Sequence, residues 1–439
     1  MTFHVIIQDT SEDKFSVNAD GDNKVLKIPS FYSDSEQLYV THNIKRLLSA
    51  NNLTPSDKMI DFGNLCLAAY TVDQLVSRAY YGHYQWSRYF KLYMPVEDLD
   101  KWKNAKTLIE ECLSFLSGDK WEVYFRGREK VHEDYQRVQS EIQKVTLFSG
   151  GLDSFIGSVD LLEQGQNISL VSHHKMGGGS ANELHLQEKL VESLVDRYPN
   201  KTLTPFYFFV QPNKKADTVL GNEITQRSRS ILFIALGLLV ANAIGEDTTL
   251  TIPENGLISL NAPLTKTRYG SYSTRTTHPN FLHKLGLVMA EVGIRNSLFN
   301  PYQYRTKGEM ITESLNQNLV RTLAYETVSC SRPGNGRFIK REELHCGYCV
   351  PCLIRRASMY KAGIDSYSGN YIADAINTDD QPDTKAFKIA LARYSSYPSK
   401  RIFEILKSGP LHCNNEDMEE FIGVYQRGME EVQAFLNQE

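Results

Sequence analysis

Between Val145 and Ile252, short apolar runs alternate with helix-length segments, and no other feature constrains the fold of this chain as strongly. Val145–Phe148 reads as a strand, Ser154–Glu163 as a helix, Ile168–His173 as a strand and Ala181–Arg197 as a helix. Phe206–Gln211, Glu223–Ile244 and Thr248–Ile252 continue the pattern as strand, helix and strand. Strands this short and apolar are buried on both faces, and crossover helices are what bury them. The fold class is therefore α/β, with a doubly wound parallel sheet. In such folds ligands sit beyond the carboxyl ends of the strands.

The flanks read differently and divide the chain into residues 1–143, 144–366 and 367–439. The first is expected to be a self-contained α+β region. It has strands at Phe3–Gln8, Lys24–Ile28, Arg88–Met94 and Trp121–Arg126, and helices from about Pro55 to Tyr81 and from Val96 to Leu116. Cys66 and Cys112 lie within its apolar helical stretches, where a thiol serves as a small buried hydrophobe. The polar stretch Arg126–Lys144 is expected to be a connecting helix. The last region is helical, with an acidic turn at Asp380–Asp383, a short amphipathic piece at Ser399–Ser408 and a terminal helix at Met418–Asn437.

Two motifs carry chemistry. Ser149-Gly150-Gly151-Leu152-Asp153-Ser154 lies between the strand ending at Phe148 and the helix that follows. Paired glycines allow a tight turn whose backbone N–H groups approach an anion, and the helix N-terminus adds partial positive charge. The Ser149 and Ser154 hydroxyls can donate to phosphate oxygens, and Asp153 can hold the Mg²⁺ that neutralises them. No Gly-Lys-Ser/Thr follows, so this is not a Walker loop. The competing explanation is an ordinary strand–turn–helix junction capped by serine and aspartate.

The second motif is Cys330 with Cys346, Cys349 and Cys352. Four thiolates at this spacing can surround one zinc ion and close its coordination, which makes the metal structural. An iron–sulfur cluster is the nearest alternative.

Taken in order, these motifs resemble the QueC family, the 7-cyano-7-deazaguanine synthases among the N-type ATP pyrophosphatases. The resemblance covers Lys144 to Asp365. Ser149–Ser154 looks like the family's pyrophosphate loop, and Arg229-Ser230 stands where the family has Arg-Asn. Lys307-Gly308-Glu309-Met310-Ile311 resembles its Lys-x-Glu-Ile segment. Thr327–Cys330 and Cys346–Cys352, followed by Arg355, match its zinc region. The extended form is similar to the QueC-like (QatC-type) subunits of bacterial antiphage defence operons.

The resemblance implies an adenine nucleotide alpha hydrolase-like fold and an ATP-dependent C–N ligase using ATP, Mg²⁺ and Zn²⁺. A 7-deazaguanine carboxylate would be activated as an acyl-adenylate and passed to an amine. The product would be an amide or nitrile, or a conjugate with a partner protein encoded nearby. It assigns catalytic roles to Ser149, Asp153 and Lys307, and nucleotide binding to Phe148, Ser149, Gly150, Gly151, Asp153, Ser154 and Arg229. Where the family carries a Tyr-Pro-Asp-like element, Asn261–Pro279 is rich in hydroxyls and cations and has no acidic residue. That loop is expected to receive the acceptor.

Two other functions compete: a tRNA-base-modifying adenylating enzyme and a non-catalytic nucleotide-sensing scaffold of a defence complex. A net charge of -4 argues against a tRNA partner, although Lys266, Arg268, Arg275, Arg305 and Lys307 form a local basic group. The N-terminus has no basic segment followed by an apolar one, and Ile231–Ile244 is too short to span a bilayer, so a cytoplasmic protein without membrane contact is expected. Seven cysteines in 439 residues do not make a secreted disulfide scaffold.

Overall fold

A computed structural model describes the chain except residues 19–20, 22, 132–139, 176–179, 218–219, 222, 266–274, 332–344, 366–370, 374–380 and 438–439. Among the described residues, ten strands fall into two sheets. The first sheet holds β1 (Thr2–Gln8), β2 (Lys24–Pro29), β4 (Tyr89–Val96) and β5 (Lys120–Gly127), all parallel, in the order β2-β1-β4-β5. The second holds β3 (Val40–His42), β6 (Lys144–Leu147), β7 (Ile168–His174), β8 (Leu203–Pro212), β9 (Leu250–Thr251) and β10 (Leu298–Phe299). Its order is β10-β9-β6-β7-β8-β3. From β6 the chain winds outward through β7 and β8, then returns to place β9 on the other side of β6. That reversal is the doubly wound arrangement, with its switch point between β6 and β9.

Side-chain alternation explains why both faces of this sheet are covered. Val145, Leu147, Val171, Phe206 and Phe208 point into a core shared with the helix Arg229–Ile244. Ile168 and Leu170 point the other way, onto Leu152, Phe155, Ile156 and Val159 of the helix Leu152–Glu163 and onto Leu190 and Leu194 of the helix Ser180–Arg197. No helix among the described residues is long and apolar enough to cross a membrane.

Residues 1–143 are not packed separately. The helix Asp57–Leu75 is buried along nearly its whole length because it lies against Arg229–Ile244, and one apolar core runs through both regions. β3 pairs antiparallel with β8 and closes the edge of the second sheet. Cys66 and Cys112 are buried in this core, and burial pushes both thiols up, Cys112 to about 12.

Several element ends differ from the sequence expectation. The helix expected to reach Tyr81 stops at Leu75, because Arg88 takes the carbonyls of Asp73 and Val76 while Arg78 and Arg88 both grip Asp73 and Asp119. The helix expected from Glu223 starts at Arg229, since Glu223 is engaged as acceptor for the N–H groups of Arg78, Ile224 and Thr225. The span Val96–Leu116 is two helices, Leu99–Asn104 and Lys106–Ser117, after β4 runs on to Val96. The expected connecting helix falls partly outside the described residues, and 128–131 and 140–143 beside it are not helical. The C-terminal region forms the helices Pro382–Ser396, Arg401–Leu406 and Asn415–Leu436. Of the acidic turn, Asp380 lies outside the described residues and Asp383 is buried in the first turn of Pro382–Ser396.

Candidate functional site

β6 ends at Leu147, and Phe148 is fully buried, donating its N–H to Val171 and accepting from the Ser172 hydroxyl. The turn then follows. Gly150 has φ +80°, a left-handed conformation that disfavours any side chain. The Gly151 N–H donates to Ser149 Oγ (3.2 Å), the Ser149 N–H to Ser154 Oγ (3.2 Å), and the Ser154 hydroxyl to the Gly151 carbonyl (2.9 Å). The hydroxyls expected to face phosphate therefore close the turn on itself. Gly151 opens the helix Leu152–Glu163 without a side-chain cap, which leaves that positive end for other acceptors.

Asp153, in the first turn of that helix, is the hub. Its Oδ1 lies 2.8 Å from Lys307 Nζ, and its Oδ2 accepts from Asn255 through Nδ2 (2.7 Å) and the backbone N–H (3.1 Å). Glu254 stands beside them, its Oε1 3.4 Å from Asn255 Nδ2. Burial by itself would raise the Asp153 carboxyl, but the Lys307 ammonium and the surrounding hydrogen bonds hold it below the ordinary carboxylate range. Burial first, and then the Asp153 charge, push Glu254 well above its ordinary value, so Glu254 keeps the proton of the pair.

Lys307 is presented by a well-fixed helix start. Thr306 caps Lys307–Glu313, and Glu309 returns the bond to the Thr306 N–H. The terminal helix braces this capping box: Arg427 Nε donates to Glu309 (2.6 Å), while Glu431 accepts from Thr306 Oγ1 and from Lys361 (2.8 Å). A Cβ on Gly308 would lie 2.8 Å from the Glu431 carboxylate and would push that side chain aside.

Ser149, Asp153, Glu254, Lys307, Ser329 and Cys330 line a cavity of about 260 Å³. It lies past the carboxyl ends of β6 and β9, at the switch point, where a doubly wound sheet opens a crevice. The Val328 N–H donates to the Gly150 carbonyl (2.9 Å) and the Leu152 N–H to Ser329 Oγ (3.4 Å), so the segment carrying Cys330 is sewn to the glycine turn. Arg355 holds the same segment through Thr327 Oγ1 (2.7 Å) and the Ala324 carbonyl.

Cys330, Cys346, Cys349 and Cys352 come together, with all four sulfurs within 4.8 Å of one another. Sγ–Sγ is 3.8 Å for Cys330–Cys349 and 3.9 Å for Cys346–Cys352. A tetrahedral zinc with ~2.3 Å bonds to sulfur needs edges of about 3.8 Å, so the donor set could hold such an ion. The backbone cooperates: the Cys346 N–H points at Cys330 Sγ (3.4 Å) and the Cys349 N–H at Cys346 Sγ (3.3 Å). Gly347, at φ +88°, leaves no space for a Cβ, which would come against the Ala373 carbonyl.

Of the residues the sequence singled out, Ser149, Gly151, Asp153, Ser154, Lys307 and Cys330 meet at this cavity. Gly150 shapes the turn from behind. Arg229 does not line the cavity; it sits at the start of Arg229–Ile244, near Tyr70, His173 and Lys175. In the loop Asn261–Pro279, residues 266–274, with Lys266 and Arg268, lie outside the described residues. The remaining cations of the expected basic group are engaged: Arg275 stacks on Phe115 (4.3 Å), Arg305 pairs with Glu313 (2.8 Å) and Lys307 with Asp153. Ser329, within the Thr327–Cys330 segment, was given no site role, and Glu254 and Asn255 were not expected. Their sequence signal was position, since Pro253-Glu254-Asn255 directly follows a strand of the parallel sheet. No family model matches the sequence, and no curated protein does.

Proposed function

We propose that this chain is an ATP-dependent, AMP-forming enzyme that activates a 7-deazaguanine carboxylate and transfers the acyl group to an amine. The observation that carries the reading is the meeting of the Ser149–Ser154 turn with the Asp153–Lys307 pair and Glu254 in one cavity at the switch point. A left-handed glycine beside an uncapped helix N-terminus suits a polyphosphate, and a buried lysine suits the charge that builds on leaving pyrophosphate. Asp153 and Glu254 are the residues that would hold Mg²⁺, which supplies neutralisation of phosphate charge when bound. Both carboxyl groups line one cavity and are oxygen donors of the hard kind this ion takes, Glu254 once it gives up its proton.

The four-cysteine cluster is assigned to a structural zinc. Thiolates close all four positions, and the cluster holds the Val328–Cys330 segment against the glycine turn. The substrate class rests on the motif order from Ser149 to Arg355, and the amine is either ammonia, giving amide and then nitrile, or a group on a partner protein.

The test is ATP–pyrophosphate exchange by purified protein with Mg²⁺ and 7-carboxy-7-deazaguanine, followed by mass spectrometry of the products with ammonia or with a neighbouring protein. Exchange that requires the carboxylate and is lost in Asp153→Ala is the expected result. Absence of exchange in the unaltered protein overturns the reading.

A further inference from the structure

A second cavity, of about 850 Å³, shares no lining residue with the one at the glycine turn. Its walls come from the helix Pro279–Glu291, from the segment around β10 and from the chain that enters the terminal helix Asn415–Leu436. Leu287 and Phe299 line it and are exposed, so part of the wall is uncovered apolar surface. The lining also carries four side chains able to ligate a metal: His283, His412, Cys413 and Asp417.

These four are not equivalent. Asp417 is engaged, accepting from the Tyr304 hydroxyl (2.6 Å), while its N–H donates to the Asn414 side chain (2.8 Å) and fixes the helix start beside Cys413. The two histidines come from segments far apart in the chain, yet their ring centres lie 4.8 Å apart with the planes 27° from parallel. Both are exposed, and among the described residues neither ring is in a hydrogen bond or an ion pair. Burial, then the charges of His412 and Lys284, lower His283 below its ordinary value, so the ring keeps a lone pair near neutral pH.

The spacing fits a shared ion. A metal–nitrogen bond of ~2.0–2.1 Å puts the centre of an imidazole ring about 3.1 Å from the metal. Centres 4.8 Å apart then subtend about 100° at that point, close to the ~109° between two ligands of a tetrahedral ion. Among the described residues only the four cysteines gather three or more donors within 4.8 Å, so here the protein supplies two ligands in this arrangement.

We propose that His283 and His412 bind a second transition-metal ion, of the class that takes imidazole, with its remaining positions open to the cavity. An ion held this way keeps places for water or for a donor atom of a small molecule, unlike the closed cysteine cluster. The inference does not rest on the first cavity taking ATP.

The experiment is dialysis of the untagged full chain against micromolar nickel, followed by elemental analysis of the retained ion. The quantity read is the nickel lost on substitution, so the occupancy of the cysteine cluster does not enter. About one nickel per chain should disappear in His283→Ala and equally in His412→Ala, because losing one of two linked ligands forfeits about 10²-fold in affinity. Both side chains are exposed, so these variants should unfold at the unaltered temperature. Bound nickel should also slow diethyl pyrocarbonate modification of His283 and His412 by about fivefold once it is several times above its dissociation constant, with the exposed His185 unchanged. Asp153→Asn should leave both readouts as they are. Equal nickel in the unaltered protein and in the two variants overturns the proposal, as does retention only at millimolar nickel, or modification of His283 and His412 at the metal-free rate.

Discussion

The Lys307 ammonium stands 2.8 Å from Oδ1 of Asp153, and both side chains are almost wholly buried. Two elements far apart in the chain are joined there: the helix that follows the glycine turn and the helix braced by the C-terminus. A charge pair buried this deeply is costly to form and more costly to break on one side.

Replacing Lys307 by methionine should therefore destabilise the protein by about 3–5 kcal/mol, because the Asp153 carboxylate is left buried and unpaired. The double variant Asp153→Asn/Lys307→Met should recover much of that loss. Urea midpoints of Lys307→Met, Asp153→Asn and the double variant check it, and additive losses would mean that the two groups do not interact.

Glu254 makes stability depend on pH in a definite direction. Its folded pKa is raised above the ordinary 4.5 by burial and the Asp153 charge. Its contribution is fully present below the unfolded pKa, and from there upward the unfolded chain loses a proton that the folded protein keeps. Stability then falls as pH rises toward the folded pKa. Glu254→Gln cannot titrate, so it should flatten the fall in stability that sets in as pH rises above the ordinary 4.5. Parallel urea titrations would refute this if the two slopes coincide.

The cysteine cluster should bring one zinc ion with each purified chain, measured by elemental analysis, and Cys349→Ser should reduce that occupancy. Because Val328 and Ser329 tie the cluster to Gly150 and Leu152, stripping the metal should also weaken nucleotide binding. Iron with inorganic sulfide in place of zinc would assign the cluster differently.

Arg427 acts on the site from the terminal helix, through Glu309 and the Tyr304 carbonyl. Arg427→Met should cost about 1–3 kcal/mol and lower pyrophosphate exchange, by loosening the helix start that presents Lys307. Arg427→Lys should restore part of both. Exchange at the unaltered rate in a destabilised Arg427→Met protein would confine the residue to folding.

The parts of this protein legible in the sequence are those decided within a few neighbouring residues. The alternation from Val145 to Ile252 announced a parallel sheet because strand and helix periods are local properties of the chain. The glycine turn was visible because Gly150 must adopt φ +80°, and the cysteine cluster because Cys346, Cys349 and Cys352 are brought together by one turn and the start of one helix. What only the tertiary structure decided are the meetings between distant segments. Crossover connections carry Asn255 and Lys307 to Asp153, and no local pattern records where a crossover lands. The ends of helices at Leu75 and Arg229 belong to the same class. They are set by Arg78, Arg88 and Glu223, whose buried charges must find partners across the fold, and that demand outweighs the helical preference of the residues between them.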